Sequence, residues 1–202
     1  MKKTGKAYAS RKPEAARPEN DFYPTPACMV TELINAETEE GPVFNVSRSA
    51  DIYDPCCGRY AIGNILRANG YNNIMERDIL YGQDFLKEPA RERHGIIIMN
   101  PPFKLFNDFV SKAKQEAEKV FCIGKLNFFG AHDRNATGLW DNMEWVLPFD
   151  RQIAFDRPEH DGKVEMGMMV TGWFVWNAYY DGYPKIKVLD MQRYAWHKKM
   201  QA

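Results

Sequence analysis

Gly95-Ile96-Ile97-Ile98-Met99-Asn100-Pro101-Pro102-Phe103 is the stretch on which the reading of this chain turns. The apolar run predicts a buried parallel strand, and the paired prolines end it at Asn100. Leu105 to Lys119 follows as an amphipathic helix, with Phe106, Phe109, Val110, Ala113 and Ala117 recurring at helical spacing. An Asn-Pro-Pro-aromatic tetrad at the C-terminal end of a strand suits methylation of an exocyclic amine on a planar ring. The lone pair of such an amine is delocalised into the ring, which makes it a poor nucleophile. The Asn side-chain oxygen and a proline carbonyl can accept its two hydrogens and draw the nitrogen toward tetrahedral geometry. The prolines hold these acceptors rigid before the reaction, and Phe103 offers a face for stacking.

Working outward, Thr25-Pro26 predicts a helix start, with Thr as N-cap, Pro in the first helical position, and Met29, Val30, Leu33 and Ile34 as the apolar face. Glu37 to Ser49 reads as a polar connection. Ala50 to Tyr53 predicts a short strand ending at Asp54-Pro55. A helix from about Tyr60 to Asn69 is stopped by Gly70. Ile74 to Glu76 and Val120 to Ile123 predict further strands. Strands alternating with helices imply a mostly parallel sheet covered on both faces. Beyond this the pattern changes. Gln152 to Phe155 and Met168 to Trp176 are β-rich, Asp181 to Pro184 is a turn, and Lys185 to Leu189 alternates like an edge strand. These predict an antiparallel addition to the sheet.

The chain has 202 residues, which fits one domain with a sizeable core. Its 27 Lys and Arg match its 27 Asp and Glu, so bulk charge points to neither nucleic acid nor membrane. Residues 1–20 are the exception. Lys2, Lys3, Lys6, Arg11, Lys12 and Arg17 outnumber Glu14 and Glu19 there, and the segment reads as a basic flexible arm, either a solvated tail or a phosphate-tracking one. Residues 21–202 read as the single folded domain. No apolar core follows the N-terminal charges and no run approaches a membrane span, so a cytoplasmic protein without membrane association is expected. Cys28, Cys56, Cys57 and Cys122 lack a Cys-x-x-Cys spacing, so no metal is expected.

Asp54-Pro55-Cys56-Cys57-Gly58 is the second constellation. A strand ending in Asp-Pro, a glycine turn and then a helix make a nucleotide-type cleft. Phe22-Tyr23-Pro24-Thr25-Pro26 lies ahead of it, and Asp78 and Asp84-Phe85-Leu86 follow. In this order, over residues 22 to 103, the chain resembles the S-adenosylmethionine-dependent methyltransferases that act on the N6 amine of adenine in DNA. Lys125-Leu126-Asn127-Phe128-Phe129 and Gly172-Trp173-Phe174-Val175-Trp176 extend the resemblance, more loosely, toward phage-type members. The resemblance implies a Rossmann-like class I methyltransferase fold, an α/β domain with a mostly parallel seven-stranded sheet and an antiparallel C-terminal hairpin. It also implies roles. Tyr23, Thr25 and Pro26 would border the methionine end of the S-adenosylmethionine cofactor. Asp54, Pro55 and Gly58 would sit beneath it, and Asp78, or Glu76 in a shifted register, would accept from its ribose. Asp84 and Phe85 would flank its adenine. Asn100, Pro101 and Pro102 would hold the target amine, and Phe103 would stack on a flipped base. DNA is the first expected partner, with RNA second. Tyr60 stands where the family loop has its second glycine. It leaves as one alternative a catalytically inactive binding or regulatory protein on this fold; the tetrad, which the resemblance implies is shared with some RNA and protein-glutamine methyltransferases, leaves an enzyme acting on RNA or on a protein glutamine as the other.

Other motifs read as ordinary structure. Pro55-Cys56 lies in the glycine turn rather than on the independent loop a cysteine nucleophile needs. Glu159-His160-Asp161 with Glu165 reads as an exposed turn, His132-Asp133-Arg134 as a polar loop, and Trp173, Phe174 and Trp176 as core. Target recognition is expected after the tetrad, in residues 127–151, where Arg134, Asn135 and Trp140 are the candidate base readers.

Overall fold

The computed structural model describes residues 24–89, 93–130, 132–155 and 164–194. The expected arm over residues 1–20, Tyr23, and the Glu159-His160-Asp161 turn lie outside them. In chain order the elements are α1 (Ala27–Ile34), β1 (Glu37–Thr38), β2 (Gly41–Pro42), β3 (Ile52–Asp54), α2 (Ala61–Ala68), β4 (Ile74–Glu76), β5 (His94–Met99), α3 (Phe106–Glu116), β6 (Ala117–Lys125), α4 (His132–Ala136), β7 (Met143–Pro148), β8 (Thr171–Asn177) and β9 (Lys185–Ile186). β1 and β2 pair as a separate two-stranded sheet. The other strands form the expected seven-stranded sheet, in the order β4-β3-β5-β6-β8-β7-β9. β8 is antiparallel to both neighbours, β6 and β7, and every other pairing is parallel. The antiparallel pair at the C-terminal side is thus β7 with β8, while β9 lies parallel to β7 at the edge.

β5 shows why its residues had to be a continuous apolar run. Ile96 and Ile98 point into one core, with Met29 and Leu33 of α1 and Ile62 and Leu66 of α2. Ile97 and Met99 point into the other, with Phe106, Phe109, Val110 and Ala113 of α3. Each fully buried side chain of this kind contributes about 1.5–3 kcal/mol. The tryptophans of β8 are core on both faces. Trp173 Nε1 donates to the Met29 carbonyl on one side, and Trp176 Nε1 to the Leu139 carbonyl on the other, each at 2.9 Å.

Four departures from the sequence reading have local causes. α3 stops at Glu116, and Ala117 is already extended, with φ −138° and ψ 158°. Glu118 and Lys119 look helical by composition, but they belong to β6 and use their polar ends across the sheet. The Tyr179 hydroxyl reaches Glu118 at 3.1 Å, and Lys119 Nζ lies 3.6 Å from Glu144. The connection after α1 is not simply polar, because it buries Val43 and Phe44, and Phe44 packs against Tyr71 and Phe121. β7 occupies part of the expected 127–151 loop, its apolar pattern masked by Glu144 and Pro148. Residues 152–155 form only an isolated bridge, Ile153 with Met166.

Lys114, near the C-terminal end of α3, secures the turn that leads into β7. Its Nζ donates to the carbonyls of Gly138, Leu139 and Asp141 at 3.0, 3.2 and 2.9 Å. Burial holds its pKa below the ordinary lysine value. Lys114→Met should lower unfolding stability by about 1–3 kcal/mol, since the carbonyls lose their donor. Urea unfolding monitored by tryptophan fluorescence would measure the change.

Candidate active site

Three pieces of chain converge at the C-terminal ends of β3 and β5. β3 ends in Asp54 and leads into the loop that reaches Tyr60; β5 leads into Asn100; the residues before α1 supply Thr25 and Pro26. Asn100 is half-buried, and its Nδ2 donates to Thr25 Oγ1 at 3.0 Å. That bond displaces the expected cap. The N-cap position of α1 falls on Pro26, with no side-chain cap bond, while the Thr25 hydroxyl reaches across to β5.

In the tetrad, Pro101 is buried, and the Pro102 carbonyl already accepts from the Leu105 N–H at 2.8 Å. Among the described residues none donates to the Pro101 carbonyl, which makes it the better acceptor for an incoming amine. The half-buried Phe103 meets the ring of Phe128 edge-on at 6.1 Å and that of Phe155 at 6.2 Å. The Lys125 ammonium sits over the Phe103 ring, 4.9 Å from its centroid.

Two residues of the loop after Asp54 take the left-handed conformation, Gly58 at φ +54° and Tyr60 at φ +63°. For tyrosine this costs on the order of 1–2 kcal/mol. The Tyr60 ring stacks on Tyr81, 5.6 Å between centroids and 7° from parallel, and the Tyr81 hydroxyl donates to the Gly58 carbonyl at 2.9 Å. The turn that a second glycine would make is therefore kept without glycine.

Three carboxylates surround this loop, and they are used differently. Asp78 Oδ2 accepts from the Gly58 N–H and Oδ1 from the Leu80 N–H, both at 2.8 Å. Asp78 thus clamps the loop to the end of β4. Glu76 pairs with Arg67 and lies against Gly63, where a Cβ would fall 1.9 Å from its Oε1. Asp54 is only 1% exposed, and its Oδ1 accepts from the Cys56 N–H at 3.1 Å. Among the described residues, Asp54 Oδ2 and Glu76 Oε1 are buried without a hydrogen-bond partner.

Burial, and after it the neighbouring Glu76 and Asp78, raises the Asp54 carboxyl well above its ordinary pKa of 3.8. A folded-state pKa above the unfolded one means the native protein holds the extra proton. Stability from Asp54 is therefore present at low pH and is lost as pH rises from about 3.8 through the raised value. Asp54→Asn keeps an acceptor for Cys56 and removes the charge. It should stabilise the protein at neutral pH by about 1–3 kcal/mol. Thermal melts across pH should show that gain shrinking toward pH 4.

The thiols do not suit a nucleophile. Burial, then Asp54, raises Cys56 well above the usual thiol range, and the same causes in the same order push Cys57 up to about 12. Asp84 is half-buried; its pairing with Lys87 at 3.0 Å holds its pKa below the ordinary value. Phe85, expected beside a cofactor ring, is 3% exposed and packs between Tyr53 and Phe109.

In the expected recognition segment, two of the candidate readers have partners within the protein. Arg134 donates to Asn107 Oδ1 at 2.7 Å and to the Phe128 carbonyl at 3.2 Å, and its guanidinium lies over the Phe128 ring. Trp140 stacks among Phe129, Phe174 and Trp176. Of the three named readers only Asn135 is exposed. The sequence reading missed the connection from β7 to β8. β7 ends at Pro148 and β8 begins at Thr171, opposite Lys125. Phe149 therefore leaves the sheet, and Val170 re-enters it, at the tetrad's edge, and Phe155 beyond β7 meets Phe103. The exposed Met166, Met168 and Val170 lie in the same connection. The available signal was the close run of methionines and apolar residues ahead of Thr171.

Among the described residues no group of three or more His, Cys, Asp or Glu could hold a metal, and no helix is long and apolar enough to cross a membrane. No protein-family model and no curated protein matches the sequence. Solved structures do match. A Pyrococcus horikoshii protein assigned as an RNA methyltransferase aligns with 80% of this chain and 88% of its own at 13% identity and a TM-score of 0.54. The methyltransferase subunit of a type I restriction-modification system from Streptococcus thermophilus aligns with 88% of this chain and 49% of its own, at 12% identity and a TM-score of 0.54. A 23S rRNA methyltransferase aligns with 79% of this chain and 71% of its own at 12% identity and a TM-score of 0.50. At these identities the likeness is one of fold, the Rossmann-like class I methyltransferase fold expected from the sequence.

Proposed function

We propose that the protein transfers a methyl group from S-adenosylmethionine to the exocyclic N6 amine of adenine in DNA. The observation that carries this reading is Asn100, held at the end of β5 beside Thr25 and followed by the acceptor carbonyl of Pro101 and the ring of Phe103. Two acceptors and a stacking ring are what a flipped adenine needs at its amine and its face. The neighbouring solved structures include proteins named for methyl transfer to RNA and for restriction-modification, which agrees with a nucleic-acid substrate.

The residues present fit the cofactor. It carries a sulfonium and an ammonium, and the loop beside Asn100 is ringed by Asp54, Glu76 and Asp78 with two carboxylate oxygens unmatched. The same neighbours whose field helps raise the Asp54 carboxyl favour a cation there. Pro26 and Gly58 would line the site; Glu76, rather than Asp78, would accept from the ribose. When bound, the cofactor supplies an already activated methyl group, so the protein's own task is placement. Asn100 and Pro101 accept the amine's hydrogens, Phe103 holds the base, and the surplus proton of the methylated nitrogen passes to water.

Tyr60 favours this enzyme over a closed-pocket binder, because it preserves the loop's left-handed turn and stacks on Tyr81. Calorimetry with S-adenosylmethionine should show binding. Mass spectrometry of nucleosides from treated DNA and RNA should show N6-methyladenine in the DNA. Methylation confined to RNA would move the substrate, and no binding with no methylated product would overturn the reading.

A further inference from the structure

Thr25 sits where the sequence calls for a helix cap, yet its hydroxyl makes no cap bond and is spent instead on a side chain distant in sequence. Ser, Thr, Asp and Asn are favoured at helix starts because their oxygens satisfy free N–H groups there. A hydroxyl withdrawn from that task, 8% exposed and turned to Asn100, marks a place where local preference yields to something else. An Asn amide presents a donor on one side and an acceptor on the other, and its outline is nearly the same either way round. What selects the orientation is the partner it meets.

From this we infer that Thr25 is a positioning residue, which sets the Asn100 carboxamide with its NH2 toward α1 and its carbonyl oxygen toward the target amine. The inference rests on the proposed methyl transfer. Thr25 Oγ1 receives the Nδ2–H at 3.0 Å, so the oxygen on the opposite side of the amide is the one turned away from Thr25. With the amide reversed, its NH2 would confront the hydrogens of the amine it must hold, and the lone pair of that amine would stay in the ring. Thr25 thus acts through Asn100 rather than by touching the reacting atoms. Its contribution appears only when the amine has to be drawn out of plane, which is in the transition state.

The test compares Thr25→Val, which keeps shape and loses the hydroxyl, with Thr25→Ser, which keeps the hydroxyl. Single-turnover methylation of an adenine-containing DNA duplex at saturating S-adenosylmethionine should slow about tenfold or more in Thr25→Val. KM for DNA should stay within about threefold of wild type and the slowing should persist at saturating S-adenosylmethionine, the pattern of a contact realised only in the transition state. Thr25→Ser should recover most of the rate. A second readout needs no turnover: the Asn100 side-chain amide protons, identified by their loss in Asn100→Asp, should exchange with solvent faster in Thr25→Val than in wild type. An unchanged rate in Thr25→Val, a defect confined to melting temperature, or no recovery in Thr25→Ser would overturn the inference and leave the methyltransferase reading standing. A wild type that methylates neither DNA nor RNA would remove both.

Discussion

Asn100→Ala should reduce methyl transfer by about a hundredfold or more, the roughly 2.7–4 kcal/mol lost when one preorganised transition-state contact is removed. Folding and cofactor binding should be nearly unaffected. Asn100 is half-buried at a strand end, and its truncation removes one neutral hydrogen bond, that to the buried Thr25 hydroxyl, so any fall in melting temperature should be modest beside the loss of turnover. Phe103→Ala behaves differently. Its ring is a wall, and its loss should weaken capture of the target by about 1–3 kcal/mol, the usual cost of a lost base stack. Single-turnover kinetics on both variants, with thermal melts on the same samples, separate the two. Normal turnover in Asn100→Ala would exclude the amino-methyltransferase reading.

The second large effect is on folding. Asp78→Ala should cost at least about 3 kcal/mol of stability, because hydrogen bonds to a charged group contribute about 1.5–3 kcal/mol each and two are lost. The Gly58 and Leu80 N–H groups would both lose their acceptor. Cofactor affinity would then fall as a consequence of a loosened loop. Glu76→Ala should give the opposite pattern, with little loss of melting temperature and a direct loss of affinity. Denaturant unfolding of both variants, beside calorimetry with S-adenosylmethionine, distinguishes the clamp from the ligand. Equal melting temperatures for the two would refute the division of labour between these carboxylates.

That division was only half legible in the chain. The order of strand, acid and glycine loop was plain, and so was β5, because a strand buried on both faces has no polar interruption to hide it. Which acid does what depends on where the backbone N–H groups of Gly58 and Leu80 point, and no spacing rule carries that information. The role of Thr25 is hidden for a related reason. Its local signal as a cap is strong, and the partner that outcompetes it is supplied by a distant strand. β7 is hidden by Glu144, whose charge is answered by Asn177 on the adjacent β8 and by Lys119 on β6 beyond it, and by Pro148 at its end. The apolar chain beside Phe103 was not legible either, because only the pairing of β7 with β8 brings it to the tetrad's edge.

The seam between α3 and β6 sets a limit on how this protein can vary in length. Glu116 ends the helix and Ala117 begins the strand, with no residue between them to absorb slack. One added residue would have to turn the helix by about 100° or slide β6 by one position, exchanging its inward and outward faces. Either adjustment would be transmitted to the far end of α3, where the chain emerges from Phe103. The tetrad is thus gauged from both sides, by the end of β5 and by a helix of fixed length. Among engineered or natural variants, insertions and deletions should be tolerated in the hairpin turn between β1 and β2 and be absent from residues 100–125.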